Sequence, residues 1–252
     1  MKFHGLSYKN VLIALPFSFI FVSESAFFFG NDQVTTLLHM VNIFLCILTP
    51  LSSEHSPDVF QAFSLVSILR ILTVSVPVFF QYTLYWLLFI YMTMIPAVFF
   101  VIDTKELGKQ WEYYYLPLGV FIGYGFALVE YNIISVQSLI PQVNVVNFLV
   151  LAMVMLFIGF MEEILFRSLL QTRFQRKFGK QEGFLLSVAI FCSMHSGYSS
   201  LLYLLFAFLI GVCMGYLFQE TRSLCFVGLL HGISNVFLFS LFPNNILLLF
   251  PL

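Results

Sequence analysis

Long apolar runs constrain this sequence more than any other feature. About nine of them, each roughly 16 to 25 residues long, follow one another between residues 10 and 242, and an α-helix needs about 20 apolar residues to cross a bilayer core. The chain is 60% hydrophobic and 9% charged, whereas soluble domains carry about 25% charged residues. The sequence therefore predicts an all-α, polytopic membrane protein with about eight or nine transmembrane helices.

The distribution of lysine and arginine predicts the orientation of these spans in the bilayer. With the N-terminus in the cytoplasm, nine of the eleven Lys and Arg residues fall in cytoplasmic segments, and the other two lie within spans. This one-sidedness follows the positive-inside rule, so we expect a cytoplasmic N-terminus. The predicted spans are residues 10–29, 34–50, 59–79, 84–102, 115–134, 144–171, 183–197, 199–218 and 223–242.

Charge and cysteine content narrow the classes of partner and cofactor. The net charge is −1 and no basic stripe is present, so the lipid bilayer is an expected partner and nucleic acid is not. The cysteines lie in apolar runs without metal-type spacing, and we expect no disulfide among them. They are Cys46, Cys192, Cys213 and Cys225.

The stretch GFMEEILFRSLLQ, at the end of the sixth predicted span, carries three charges. A charge at the bilayer centre costs roughly 2.5 to 3.5 kcal/mol, so it suggests a function and needs a partner. Glu163 and Arg167 are four residues apart and share a helix face, which predicts an ion pair. Glu162 points to another sector and is expected to be free. Alternatively, both carboxylates face cytoplasmic water at the end of the span.

Two more predicted spans carry polar side chains to a similar depth. Glu162 lies about 13 residues before the basic connection near residues 175–180 and His195 about 15 residues after it, so both are roughly 20 Å from that connection. In the last span His231 and Asn235 share a helix face, about 13 and 19 Å from the preceding loop. Singly, each could be a core residue or an interhelical hydrogen bond. Together they predict one polar layer.

These residues resemble the motifs of the CPBP family of intramembrane proteases, which includes the type II CAAX prenyl endopeptidases and the Abi or bacteriocin-immunity proteins. The family carries Glu-Glu-x-x-x-Arg, Phe-x-x-x-His and His-x-x-x-Asn on three separate helices. The matching residues, in the same order, are Glu162-Glu163-Ile-Leu-Phe-Arg167, Phe191-Cys-Ser-Met-His195 and His231-Gly-Ile-Ser-Asn235. The resemblance covers residues 144–242. It implies a catalytic helix bundle there, with peripheral N-terminal helices in residues 1–143 and a C-terminal tail in residues 243–252.

The resemblance also implies a role for each residue in the hydrolysis of a peptide bond. Glu162 and His195 would activate a water molecule, and His231 and Asn235 would stabilise the oxyanion. Glu163, Arg167 and Phe191 would support them, Phe191 by packing the pocket. No metal is favoured, because an amide is a poor zinc ligand and a His-Glu-x-x-His helix is missing. If zinc is used, its ligands would be Glu162, His195 and His231.

Other interpretations of the sequence remain open. A non-catalytic immunity or binding protein could retain these motifs, and a transporter could use the polar layer as an ion path, although no discontinuous helices or symmetric halves are evident. Arg70, within the third predicted span, has Glu24 and Glu130 as plausible partners. We expect a prokaryotic cell membrane and a membrane-associated peptide or protein as substrate, with a prenylated CAAX-like tail as one possibility.

Overall fold

The structure of the chain is a computed structural model that describes residues 8–52, 57–140, 142 and 144–244. Within these residues it contains ten α-helices and no strand. The helices are α1 Tyr8–Phe28, α2 Asp32–Ser52, α3 Pro57–Ser75, α4 Thr83–Val101, α5 Tyr115–Ile134, α6 Val145–Glu163, α7 Thr172–Phe178, α8 Lys180–Ser193, α9 Leu201–Thr221 and α10 Leu224–Val236. Beyond Asn244, the predicted C-terminal tail lies outside the described residues. All four cysteines are free thiols.

Each of the nine predicted spans coincides with a helical segment, which confirms the all-α, polytopic architecture. Among the described residues, seven segments are long and apolar enough to cross a membrane. The other two are shorter: the apolar part of α1 covers Leu12–Phe28, and α8 has 14 residues. At about 1.5 Å per residue, α8 reaches only part of the way across a hydrocarbon core about 30 Å thick.

The longest span changes its helical pitch directly after the two carboxylates. Helical structure runs for 34 residues from Val145 to Phe178, but its middle part, Ile164–Gln171, is a π-helix. At its end, the backbone N–H of Thr172 donates to the carbonyl oxygen of Arg167, five residues back. The spacing of apolar residues did not predict this wider turn, which is typical of functional sites.

Helices α6 and α10 approach each other closely because glycines face one another between them. A Cβ atom added at Gly159 would lie 2.4 Å from the backbone nitrogen of Gly232. One added at Gly232 would lie 2.6 Å from the Cα atom of Leu156. Glu162 lies on α6 and His231 on α10, so the close approach at these glycines sets the distance between those two side chains.

Polar side chains cap three of the helices that build the C-terminal bundle. The side-chain oxygens of Asn144, Ser200 and Ser223 each accept a hydrogen bond from a backbone N–H in the first turn of α6, α9 and α10. These bonds satisfy donors that have no partner within a helix, which explains why the three helices begin at these residues.

A buried arginine joins α7 to the N-terminal helices. The guanidinium of Arg173 donates two hydrogen bonds of 3.0 Å to the carboxylate of Glu106. It also donates to the carbonyl oxygens of Asp58, 2.7 Å away, and Val101, 2.8 Å away. The two side chains are almost completely buried. This contact lies apart from the predicted catalytic residues and links α7 to the start of α3 and the end of α4.

Candidate active site

The four predicted catalytic residues line one internal cavity. Its volume is about 380 Å³, and its wall includes Glu162 from α6, His195 from the turn after α8, and His231 and Asn235 from α10. The sequence argument required these side chains to meet at one depth, and the structure places them around one space. Apolar side chains make up most of the remaining wall, among them Leu69, Trp86, Leu87, Phe206, Ile210 and Phe239.

Glu162 has two partners, so the expectation that it would be free is wrong. Its Oε1 atom accepts a hydrogen bond from the hydroxyl of Tyr91 in α4. Its Oε2 atom lies 3.3 Å from Nε2 of His231, and 17% of the Glu162 side chain is exposed. The sequence argument considered only residues on the same helix, whereas both partners come from other helices. The carboxylate is thus fixed in orientation and still borders the cavity.

The predicted ion pair between Glu163 and Arg167 is confirmed. Nε of Arg167 donates to Oε2 of Glu163 at 2.9 Å, and both side chains are 0% exposed. The Arg167 guanidinium also lies over the ring of Phe191, 4.6 Å from its centroid. A buried charge is costly unless it is paired, and here the cation is paired with a carboxylate and stacked on an aromatic ring.

His231 lies between the two adjacent carboxylates. Its Nδ1 atom is 2.8 Å from Oε1 of Glu163, and its Nε2 atom is 3.3 Å from Oε2 of Glu162. Because Arg167 favours the ionised form of Glu163, the Nδ1–H group of His231 donates to that carboxylate. The ring is therefore held in place, with Nε2 directed toward Glu162 and the cavity.

His195 lies just beyond the end of a helix, which differs from its predicted place within the seventh span. Helix α8 ends at Ser193, and the turn Ser196–Tyr198 follows. Because serine and glycine follow His195, the helix is not continued. Nδ1 of His195 is 2.9 Å from the carbonyl oxygen of Phe191. A carbonyl oxygen only accepts, so Nδ1 carries the proton and Nε2 is free to accept one.

Phe191 and Asn235 complete the predicted set. The ring of Phe191 lies 4.7 Å from that of His195 and 6.4 Å from that of His231, centroid to centroid. Phe191 thus packs against His195 and near His231 in the cavity wall. Asn235 is one helical turn from His231 and borders the same cavity. Its partly exposed amide is placed where it can donate to a bound group.

Comparison with known proteins agrees with this arrangement. Residues 144–237 match the family model described as type II CAAX prenyl endopeptidase Rce1-like. The chain is similar to that family over this segment. No curated protein and no solved structure matches the chain.

Side chains outside the Rce1-like segment also line the cavity. They come from α3, α4 and α5 and include Arg70, Tyr91 and Glu130. The division of the chain at residue 143 stays a prediction, but side chains before it reach the cavity, because α4 packs against α6 and brings Tyr91 to Glu162. Sequence reasoning missed Tyr91, since a tyrosine in an apolar run carries no charge and no motif spacing.

Arg70 pairs with Glu24 and not with Glu130. Nε of Arg70 is 2.7 Å from Oε1 of Glu24, and Nη2 is 2.8 Å from Oε2. Glu130 was the wrong partner for Arg70, because its carboxylate accepts a 2.7 Å hydrogen bond from the hydroxyl of Tyr203 in α9. The N-terminal helices therefore contribute two polar contacts near the Rce1-like segment, the Arg70–Glu24 ion pair and the Glu130–Tyr203 hydrogen bond.

The donor atoms around the cavity do not have the arrangement of a metal site. Among the described residues, no three His, Cys, Asp or Glu side chains are placed to hold one metal ion. Nδ1 of His231 is bound to Glu163, and its Nε2 lies 3.3 Å from Oε2 of Glu162. On the placement of donor atoms alone, Glu162, His195 and His231, the three zinc ligands considered from the sequence, do not form a metal site.

Proposed function

We propose that the chain is an intramembrane endopeptidase that hydrolyses a peptide bond of a membrane-associated protein or peptide. One observation carries the proposal: Glu162, fixed by Tyr91 and His231, borders the same cavity as His195 and Asn235. An ionisable cluster inside a membrane protein is costly and is by default a functional site. The family model that residues 144–237 match is described as a type II CAAX prenyl endopeptidase.

In the proposed reaction, Glu162 and His195 activate a water molecule. Nε2 of His195 is free to accept a proton, because Nδ1–H is bound to the carbonyl oxygen of Phe191. The water oxygen attacks the peptide carbonyl carbon as its proton passes to the Glu162–His195 pair, and this proton is later given to the leaving amine. A positioned acid–base group of this kind contributes about 10²- to 10⁴-fold to the rate.

His231 and Asn235 stabilise the developing oxyanion in this mechanism. Held between two carboxylates, His231 is an imidazolium in this mechanism: Nδ1–H donates to Glu163, and Nε2–H is directed into the space beside Glu162. The amide of Asn235 supplies a second donor one turn away. Donors that are fixed before the reaction begins lower the barrier by about 2.7 to 4 kcal/mol each.

The cavity wall supports a substrate with an apolar group near the scissile bond. Leu69, Leu87 and Ile210, with the aromatic residues beside them, form an apolar surface next to the polar cluster. A prenylated CAAX-like tail would bury its lipid there. We propose such a lipid-bearing or membrane-inserted peptide as the substrate class, with catalysis that needs no metal.

The proposal includes an orientation in the membrane. With the N-terminus in the cytoplasm of a prokaryotic cell, the basic connection that contains Arg176 and Lys180 is also cytoplasmic. Fusions of alkaline phosphatase and green fluorescent protein after residues 30, 110 and 180 test this, since each reporter is active on only one side. Alkaline phosphatase activity at the fusion after residue 110 or 180 would overturn the orientation.

The enzymatic proposal is tested with purified protein in lipid nanodiscs. The probe is an internally quenched peptide with a prenylated Cys-aliphatic-aliphatic-X end, and the membrane proteome of producing cells is compared in parallel. Glu162→Gln and His195→Gln should abolish cleavage of the probe or of a membrane protein, while Glu182→Gln, a change at an exposed carboxylate, should not. Full activity of Glu162→Gln would reject the proposal and favour a non-catalytic binding or immunity protein.

A further inference from the structure

A second buried ionic cluster lies outside the three motifs. Glu24 in α1 is 2% exposed and Arg70 in α3 is 5% exposed. Two nitrogens of the Arg70 guanidinium contact the two carboxylate oxygens of Glu24, at 2.7 and 2.8 Å. Such a two-point contact is among the strongest side-chain pairings and fixes the orientation of both groups.

The Glu24–Arg70 pair contacts the residue before His195 and the residue after it. Nη2 of Arg70 donates to the carbonyl oxygen of Met194 at 2.5 Å. The hydroxyl of Ser196 donates to Oε2 of Glu24 at 2.6 Å. The residue before His195 and the residue after it are therefore each bound to the same ion pair. His195 is the proposed catalytic residue that is not on a helix, so its backbone depends on such contacts.

The end of α1 packs against the turn that follows His195. A Cβ atom added at Gly197 would lie 2.6 Å from the ring of Phe27. The hydroxyl of Ser199 donates to the carbonyl oxygen of Phe28 at 2.8 Å. The ring of Phe27 also lies under the Arg70 guanidinium, 4.4 Å from its carbon. Ser196, Gly197 and Ser199 thus each contact α1, and these contacts hold the turn against that helix.

Side chains of α2 and α3 support Glu24 from behind. Nε2 of His39 is 3.2 Å from Oε1 of Glu24, and its Nδ1 is 3.1 Å from the hydroxyl of Ser67. The amide of Asn42 donates to that hydroxyl at 2.9 Å. All of these groups are buried. Because the carboxylate of Glu24 neutralises the guanidinium of Arg70, that arginine is not available to bind a substrate carboxylate.

We propose that Glu24 and Arg70 are positioning residues that hold His195 in its place beside Glu162. The inference rests on the proposed function and goes beyond it, because both residues lie outside the matched segment 144–237. Neither residue takes part in the proton transfers. Their effect acts through the backbone at Met194 and Ser196. A misplacement of about 1 Å at a reacting group can reduce the rate about 100-fold, so contacts of this kind control kcat.

The test compares Arg70→Lys, Glu24→Gln and Ser196→Ala with Arg173→Lys as a matched control. Arg173 has the same two-point contact with a buried glutamate and also donates to backbone carbonyls, but it does not line the cavity. The variants are studied as full-length protein in nanodiscs. Cleavage of the prenylated quenched peptide gives kcat and KM, and amide hydrogen exchange is followed in residues 192–199.

The three positioning variants should lower kcat by about 10- to 100-fold, with KM changed less than about 2-fold. Exchange in residues 192–199 should become faster in the same variants. Arg173→Lys should lower the unfolding temperature and leave kcat per folded protein and this exchange unchanged. Ser196→Ala removes a single hydroxyl, so it keeps the test valid if the ionic variants fold poorly.

Two results would overturn the inference. One is wild-type kcat in Arg70→Lys and Ser196→Ala; the other is an equal loss in Arg173→Lys, which would indicate only general destabilisation. If the wild-type protein cleaves nothing, the proposed function fails, and the exchange data then decide alone. Unchanged exchange at residues 192–199 in Arg70→Lys would reject the positioning role without reference to activity.

Discussion

The hydroxyl of Tyr91, in α4, donates a hydrogen bond to the carboxylate of Glu162, in α6, across a sequence separation of 71 residues. This bond keeps the Glu162 carboxylate oriented toward the cavity and occupies one of the acceptor lone pairs of its Oε1 atom. Tyr91→Phe should lower kcat by about 10- to 100-fold, because a hydrogen bond to a charged group contributes about 1.5 to 3 kcal/mol. Steady-state cleavage of the quenched peptide measures the change.

Tyr85→Phe is the control, since Tyr85 lies on the same helix and its side chain is exposed. It should cleave at the wild-type rate. Equal kinetics of the two phenylalanine variants would show that the contact with Glu162 has no role in turnover.

The Glu163–Arg167 pair predicts a large loss of stability when one partner is neutralised. Glu163→Gln leaves the guanidinium of Arg167 buried without its counter-charge, which should cost about 3 to 5 kcal/mol of unfolding free energy. The variant also removes the acceptor for Nδ1–H of His231. Chemical unfolding in detergent, followed by tryptophan fluorescence or circular dichroism, measures this loss.

The double variant Glu163→Gln with Arg167→Met should recover part of that stability, because both buried charges are then gone. It should not recover activity, since His231 is still without its carboxylate partner. A single variant as stable as wild type would contradict the assigned pair.

The glycine contact between α6 and α10 predicts that one methyl group added at Gly159 lowers stability, whereas one added at Gly125 does not. Gly159→Ala places a Cβ atom where the backbone of Gly232 already lies, so the two helices must move apart. Overpacking of this kind costs about 1 to 3 kcal/mol. Since Glu162 and His231 lie on these helices, cleavage should fall as well. Gly125→Ala, whose Cβ would meet no atom within 4 Å, should match or exceed wild-type stability.

The donor arrangement at the cavity predicts that removal of metal ions leaves activity intact. Treatment of the purified enzyme with EDTA or 1,10-phenanthroline, followed by gel filtration, should change kcat by less than about 2-fold, because proton transfer and oxyanion binding are assigned to side chains alone. Elemental analysis of the same samples provides the control. Loss of activity that added zinc restores would instead favour the metal-dependent form of the protease.

The sequence predicted which motif residues lie near one another, because helical spacing and span length act over short distances. Glu163 and Arg167 are four residues apart, and their pairing follows from the pitch of a helix. The placement of Glu162 and His195 at one cavity followed from the similar lengths of chain, about 13 and about 15 residues, on either side of one connection. All four proposed catalytic residues accordingly line one cavity.

Contacts between distant helices could not be predicted in this way. Tyr91 reaches Glu162 only because α4 packs on α6, and no periodicity in either segment encodes that packing. The exit of His195 from α8 was also missed, because the predicted span was extended to residue 197, whereas α8 ends at Ser193 and serine and glycine follow His195. The π-helix at Ile164–Gln171 has no residue signature that distinguishes it from an α-helix.

The contacts of α1, α3 and α4 with the cavity bear on how such enzymes are recognised and rebuilt. A chimera that joined residues 144–237 to an unrelated N-terminal half would keep every motif. It would still lack Tyr91, Arg70 and Glu24, whose side chains contact Glu162 and the residues beside His195. Genome surveys that score only the last helices would count such a protein as a competent peptidase. A search that also asks for a buried acid–arginine pair upstream would look for the positioning residues proposed above.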